Sequence, residues 1–255
     1  MSEFEIIDKK IVLSEDTVIE TKKLNFRPGG QIVTNGFELR IRANRIILDS
    51  ITPGQPQHSI ISFEDRQMNE GEDGRDADDI FIIADVVEGS SLLIKNFGED
   101  GAKGSKGEKG NKGKKGRNGQ GRVHKDFRGC VGRSAGNGGK GGTGKQGNPG
   151  GDGGDGGDVV FFVKKGDENI KVETVNPGRG GNGGDGGDGG DGGDGGNKGR
   201  GRGGCGSVSA GSRGPVGDQG PTGVKGEDGI KGDIHNMLSF GVSEVEGDIH
   251  NLQSK

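Results

Sequence analysis

The sequence predicts an unusual all-β architecture, a β-solenoid-like N-terminal region followed by a bundle of four antiparallel polyglycine or polyproline II helices. Two observations lead to this prediction. Glycine occupies every third position in four stretches of similar length, and three residues is the period of the polyproline II conformation. The apolar residues are concentrated outside these stretches, in residues 4–97, 159–175 and 234–252.

The composition argues against an ordinary globular protein. The chain has 255 residues, of which 60 are glycine and only 25% are hydrophobic, with no Trp or Tyr. Such a chain cannot build a conventional core along its whole length. No apolar run approaches the roughly 18 residues of a membrane-spanning helix, and residues 1–10 lack the pattern of a signal peptide. We therefore expect a protein of the cytoplasm or of a virion, without a membrane span.

Residues 4–48 are predicted to form short strands, because they are rich in β-branched and aromatic side chains. Leu24 and Phe26 recur as Ile46 and Leu48 after 22 residues, which is about one coil of a β-solenoid. This stretch resembles the coils of right-handed parallel β-helix proteins. A small antiparallel sandwich is the alternative that the same residues allow.

The rest of the chain divides at the glycine repeats. Residues 1–97 are predicted to form a β-solenoid-like or β-sandwich base, within which residues 49–79 are a surface excursion. The glycine bundle is predicted over residues 98–233. Two apolar runs in residues 159–175 flank a Gly-Asp-Glu turn and predict an inserted β-hairpin. Residues 234–255 are expected to pack on the base.

The glycine repeats form four segments. The first to the fourth glycine segments are residues 98–119, 138–156, 178–199 and 211–232. Eight triplets of polyproline II helix span roughly 75 Å. Segments of equal length joined in series are expected to run out, back, out and back. The second and third are rich in Gly-Gly-x triplets, which leave two bare faces, so we expect them to lie inside the bundle.

This topology gathers two connections, residues 122–136 and 202–210, at the end far from the base. Each connection holds one cysteine, and we expect Cys130 and Cys205 to lie close together, as thiols or as a disulfide. The same loops are the predicted binding surface. Its candidate residues are Arg122, His124, Lys125, Phe127, Arg128 and Arg133.

The repeats also resemble collagen, disordered linkers and calcium-binding β-rolls. A collagen triple helix gains stability from proline, which the segments supply only at Pro215 and Pro221. Disorder is typical of glycine-rich polar tracts, but the matched lengths argue against it. Calcium-binding β-roll repeats need a regular apolar residue that the third segment lacks. Its aspartates repeat at about 9.3 Å, too far apart to share one calcium ion, so only aspartates of neighbouring segments could share one. We expect a solvated row of aspartates, with no metal and no cofactor.

No catalytic constellation is visible, and we expect a protein that is not an enzyme. The four histidines have no spacing typical of a metal site or a catalytic triad. The pentapeptide GDIHN, at residues 232–236 and 247–251, is expected to mark two equivalent turns that cap adjacent strands, with a duplicated recognition peptide as the alternative. A row of lysines at the triplet period is expected to face the aspartate rows of neighbouring segments or of neighbouring molecules. The row consists of Lys103, Lys106, Lys109, Lys112 and Lys115.

The Gly-Gly-x tracts resemble two groups of polyglycine II proteins. One comprises the snow-flea antifreeze proteins, and the other the receptor-binding adhesins at the tips of T-even-like phage long tail fibres. The antifreeze resemblance implies a flat, weakly polar face, whereas the exposed positions here are charged. The adhesin resemblance implies an attachment domain, a glycine bundle and far-end loops that contact the host receptor.

We therefore predict a non-enzymatic structural or binding protein, a rigid spacer that presents distal loops, in its most concrete form a phage-type or bacterial adhesin. The expected partner is a protein or glycan receptor, or a second copy. Nucleic acid is disfavoured because no aromatic side chains interleave the basic residues. The alternatives are an intracellular assembly scaffold that self-associates through its charged edges and, third, a β-helix enzyme acting on polysaccharide.

Overall fold

The fold is given by a computed structural model that describes residues 2–54, 57–125 and 129–237. Its strands are, in chain order, β1 (Glu5–Ile7), β2 (Lys10–Val12), β3 (Thr17–Phe26), β4 (Gln31–Val33), β5 (Leu39–Leu48), β6 (His58–Ile61), β7 (Ile80–Gly89), β8 (Leu92–Lys95), β9 (Gln120–His124), β10 (Cys130–Arg133), β11 (Val159–Lys165), β12 (Ile170–Thr174) and β13 (Ile234–Asn236). A single 3-10 turn, Asp167–Asn169, is the only helical element of the described residues.

Two large parallel sheets contain eleven of these strands. One has the strand order β1-β3-β5-β7-β11-β13 and the other the order β12-β8-β6-β4-β2. The register of β3 on β5 pairs Leu24 with Ile46 and Phe26 with Leu48, which explains the 22-residue repeat of the sequence. These four side chains are buried, and they share one hydrophobic core with Ile60 and other side chains of the second sheet.

The hairpin expected over residues 159–175 is not formed. Strand β11 lies in the six-stranded sheet between β7 and β13, whereas β12 pairs with β8 in the five-stranded sheet. The apolar run from Val159 to Val163 is buried throughout, as is typical of a parallel strand covered on both faces. Pairing of Ile80 with Val159 joins residues that are distant in sequence, and a local turn signal could not reveal it.

The predicted fold class is wrong. The described residues contain two large parallel sheets and almost no helix, so neither a bundle of four polyglycine or polyproline II helices nor a β-solenoid is identified. The antiparallel sandwich is wrong too, because all pairings in both large sheets are parallel. The glycine segments are long connections between strands of these sheets. The first two segments connect β8 to β11, and the last two connect β12 to β13.

Backbone hydrogen bonds at every third residue join the glycine segments to one another. The N–H of Gly110 donates to the carbonyl of Asp188 over 2.8 Å, and the N–H of Gly142 donates to Asn111 over 2.7 Å. The register is parallel between the first and third segments and antiparallel between segments that follow each other in sequence. Extended backbone that forms no internal bonds thus finds its partners in neighbouring segments.

The second and third glycine segments have the most neighbours. Each forms backbone hydrogen bonds with the three other segments, whereas the first and fourth each bond to these two. Glycine is required at such contacts, because a Cβ on Gly190 would lie 2.0 Å from the carbonyl oxygen of Asn111. The two segments with two glycines in most triplets are therefore those that the other backbones approach from several sides.

Residues 71–79 of the predicted surface excursion belong to the same hydrogen-bonded layer. The N–H groups of Gly74 and Ala77 donate hydrogen bonds to the backbone carbonyls of Asp152 and Asp155 in the second segment, over 2.8 and 2.9 Å. The N–H of Ala102 in the first segment donates a hydrogen bond to the backbone carbonyl of Glu72 over 2.8 Å. The sequence concealed this extra segment because its glycine repeat is only two triplets long.

Candidate functional site

A disulfide bond joins the two connections that lie at the end of the glycine segments remote from the large sheets. Cys130 and Cys205 are 75 residues apart in sequence, with their Cα atoms 5.6 Å apart. The N–H of Arg202 also donates to the carbonyl of Arg122 over 2.9 Å. We call residues 117–125, 129–135 and 198–210 the tip. A cross-link closing so long a loop stabilises a fold by about 4 kcal/mol in the chain-entropy account.

The tip is built around a small antiparallel ribbon. Strands β9 and β10 pair so that Val123 lies beside Val131, and both valines are partly exposed. The buried side chains beneath the connections are Cys205 and Val208. The disulfide and this small apolar contact hold the ribbon in place, although it is too short to be stable alone.

The tip is cationic. It contains no Asp or Glu among its described residues, and none of its basic side chains forms an ion pair within the part of the chain that the structure describes. These basic side chains are Arg117, Arg122, Lys125, Arg133, Lys198, Arg200 and Arg202, and His124 lies beside them. A surface with one sign of charge attracts anionic partners over a distance of about a Debye length.

A groove of about 600 Å³ lies at the edge of the tip, between the first and second glycine segments. We call it the tip groove. Its polar lining consists of Lys114, Lys115, Arg117, Arg133, Ser134 and Asn137. Four of these side chains are cationic and none is acidic, so an anion in the groove would meet only attraction and neutral hydrogen-bonding groups.

The predicted facing of the lysine and aspartate rows is confirmed away from the tip. Lys103, Lys106, Lys109 and Lys112 form ion pairs of 2.8 to 3.0 Å with Asp185, Asp188, Asp191 and Asp194. Hydrogen bonds from the lysines lower the pKa of the last three aspartates. Each pair joins residues 82 positions apart. The next lysine, Lys115, meets Asn197 in this register, so the one-to-one pairing ends where the groove begins, although the charge of Lys115 still helps to lower the pKa of Asp194.

The structure brings most of the predicted binding residues together on the tip. Arg122, His124, Lys125 and Arg133 are exposed there, while Phe127 and Arg128 lie outside the described residues. Sequence reasoning missed Lys114, Lys115 and Arg117 as groove residues. The available signal was the replacement of Asp by Asn197 at the end of the Gly-Gly-Asp repeats.

A second cavity, of about 690 Å³, lies near the large sheets, between β8, β12 and the start of the first and third segments. At its wall, Glu99 is buried and accepts hydrogen bonds from Arg66 and Arg75 at 2.8 and 3.0 Å. Burial opposes ionisation of Glu99, but the two guanidinium groups outweigh it and lower its pKa. The carboxylate therefore ties residues 66–75 to the first glycine segment.

Several aspartates near the large sheets use their carboxylates to accept hydrogen bonds from backbone N–H groups. Asp73 Oδ1 accepts a hydrogen bond from the N–H of Asp152, and Asp152 Oδ1 accepts one from the N–H of Glu227, over 2.8 and 2.7 Å. The same two hydrogen bonds recur three residues later, at Asp76 and Asp155, and six residues later, at Asp79 and Asp158. Burial raises the pKa of the Asp79 carboxyl. These carboxylates complete the hydrogen bonding between extended segments.

The described part of the chain has no recognisable metal site or membrane-spanning helix. Within the described ranges, no group of three His, Cys, Asp or Glu side chains is arranged to hold a metal ion. No helix of the described chain is long and apolar enough to cross a membrane. Of the GDIHN copies, the first lies at β13, and the second lies outside the described residues. No known protein family, curated protein or solved structure matches this chain.

Proposed function

We propose that this protein is a non-enzymatic adhesin of phage or bacterial type, which carries the tip on a glycine-rich spacer and binds a surface receptor with it. The observation that carries this proposal is the disulfide between Cys130 and Cys205, which joins two distant connections into one exposed surface whose described charged side chains are all basic. A surface of this kind is expected where a partner is bound rather than where the fold is stabilised.

The glycine segments fit the role of a spacer. The first segment, residues 98–119, runs the whole distance from β8 near the large sheets to β9 at the tip. Hydrogen bonds at every third residue connect the four segments along this length. A layer cross-linked so regularly resists bending and would hold the tip at a fixed distance from the sheets.

The alternative of a scaffold that self-associates through charged edges has less support. Its strongest charged feature, the lysine row, is largely neutralised by the aspartates of the same chain, from the pair of Lys103 with Asp185 to the pair of Lys112 with Asp194. Exposed ion pairs of this kind leave little charge for a second copy. On the tip, by contrast, the basic side chains form no ion pair within the described chain.

The proposal is tested with a fluorescently labelled full chain and a panel of intact bacteria with different surface envelopes. A double charge reversal, Arg122→Glu with Arg202→Glu, should remove binding to the recognised bacterium and leave the unfolding midpoint nearly unchanged. Lys171→Glu with Lys231→Glu is the matched control, because it changes the net charge by the same amount and both lysines are exposed far from the tip, on β12 and on the fourth segment. The proposal fails if no bacterium is bound, or if the tip variant binds as well as the control.

A further inference from the structure

We propose that the tip groove is the receptor-binding site and that its ligand is an anionic polysaccharide, a chain of sugars carrying carboxylate or sulfate groups. This inference rests on the proposed function and names the ligand class of that function. Three independent features of the groove carry it: an interrupted row of ion pairs, glycines that the fold does not require, and a lining suited to sugars.

The first feature is that the ion-pair row ends where the groove begins. The pairing of Lys112 with Asp194 is the last of a series, and the register places Asn197 beside Lys115. Lys114 and Arg117, on the same segment, form no ion pair within the described chain either. The end of the series therefore leaves cationic groups available for a ligand.

The second feature is the groove floor. A Cβ on Gly136 or Gly139 would meet its nearest neighbours at 3.3 or 3.4 Å, whereas a Cβ on Gly138 or Gly141 would lie 1.8 Å from the third segment. Packing therefore requires glycine at the latter two positions but not at Gly136 and Gly139. Farther along the same row, Lys145 occupies the equivalent position. The bare positions at the tip keep the groove open to its cationic walls.

The third feature is the chemistry of the lining. The planar guanidinium groups of Arg117 and Arg133 suit the paired oxygens of a carboxylate or a sulfate. Ser134 and Asn137 offer neutral groups that can hydrogen-bond to sugar hydroxyls. None of the described residues that line the groove is aromatic, and single-stranded nucleic acid binds best where bases can stack on aromatic rings. An acidic sugar chain needs no such stacking.

The experiment uses the full chain and a matched pair of substitutions at one groove glycine. Gly139→Glu introduces a carboxylate among the four cations, and Gly139→Gln introduces a neutral side chain of nearly the same size. Binding of fluorescent polygalacturonate and dextran sulfate is measured, with neutral dextran and oligo-dT as comparison probes. We expect Gly139→Glu to bind one or both anionic polysaccharides at least tenfold more weakly than Gly139→Gln, and neutral dextran not to bind.

A second pair separates the groove from the overall charge of the tip. Gly206 lies on the tip outside the groove, with open space at its Cβ position. Gly206→Glu has the same net charge as Gly139→Glu, and it should bind within about twofold of Gly206→Gln. The inference would be overturned if Gly139→Glu and Gly206→Glu weakened polysaccharide binding equally, or if Gly139→Glu and Gly139→Gln bound polysaccharide equally well. Tighter binding of oligo-dT than of either anionic polysaccharide would also overturn it.

These outcomes also separate this inference from the proposed function. If the Arg122 and Arg202 reversals remove binding to bacteria while the Gly139 pair binds polysaccharide equally, the tip is still the receptor-binding surface and the assignment of the groove is wrong. If neither set of variants changes binding, both proposals fail.

Discussion

At the residue scale, the function of a glycine in this chain depends on which neighbour faces its missing side chain. Gly190 faces the backbone of the first segment at a distance that admits no methyl group, whereas Gly139 faces the tip groove. Both occur within Gly-Gly-x triplets, and the sequence gives no sign of the difference. The aspartates differ in the same way: Asp188 pairs with a lysine, while Asp152 accepts a backbone N–H.

Gly190→Ala should destabilise the protein, by about 1–3 kcal/mol or more, because the new methyl group overlaps a backbone that cannot move independently. Gly139→Ala should leave the free energy of unfolding nearly unchanged, since its Cβ would meet nothing closer than 3.4 Å. Asp188→Ala should also have a small effect, because it removes only an exposed ion pair. Urea unfolding followed by circular dichroism provides the comparison, and equal midpoints for the two alanine substitutions at glycine would refute the assignment of their contacts.

At the scale of elements, residues 66–79 connect the two kinds of structure in this chain. They lead from the five-stranded sheet through a segment that bonds to the first and second glycine segments and into β7. Glu99 fixes this connection through Arg66 and Arg75. The sequence indicated only an acidic, proline-containing excursion, because the three-residue pattern there uses Ala77 in place of a glycine.

Glu99→Gln should lower the free energy of unfolding at neutral pH by about 1–3 kcal/mol, since charge-assisted hydrogen bonds to two guanidinium groups are lost. Because folding lowers the pKa of Glu99, its ionisation stabilises the fold above the unfolded-state pKa of about 4.5, and this contribution is lost as the pH falls through the folded-state pKa. The difference in stability between wild type and Glu99→Gln should therefore shrink between pH 6 and pH 3.

Urea midpoints at several pH values measure this effect. Glu70→Gln is the control, because Glu70 is exposed and lies in the same connecting stretch. A difference between wild type and Glu99→Gln that stays constant down to pH 3 would mean that the carboxylate of Glu99 does not carry the stabilisation.

At the scale of the whole molecule, the sequence located the components better than it predicted their arrangement. The 22-residue repeat from Leu24 to Ile46 was readable because neighbouring strands follow each other closely. The parallel pairing of Ile80 in β7 with Val159 in β11 could not be predicted from the sequence, because two glycine segments separate these strands. The predicted fold class was wrong for that reason: repeats have a local signature, but the sheets are completed by strands distant in sequence.

The candidate site also contains residues that the sequence could identify and others that it could not. Cys130, Cys205 and the basic loop residues could be identified from position and charge. The tip groove could not, because its open cations depend on the register that sets Lys115 beside Asn197 and on the side to which Gly139 faces. Both properties arise only when the segments are aligned.

The central claim is that binding occurs at the tip, remote from the parallel sheets. Hydrogen–deuterium exchange of the full chain, with and without the anionic polysaccharide that binds most tightly, tests it most directly. We expect slower exchange on binding in residues 114–139 and 198–210 and unchanged exchange in β3, β5 and β7. Protection of the sheets or of the cavity beside Glu99, with the tip unchanged, would contradict the account.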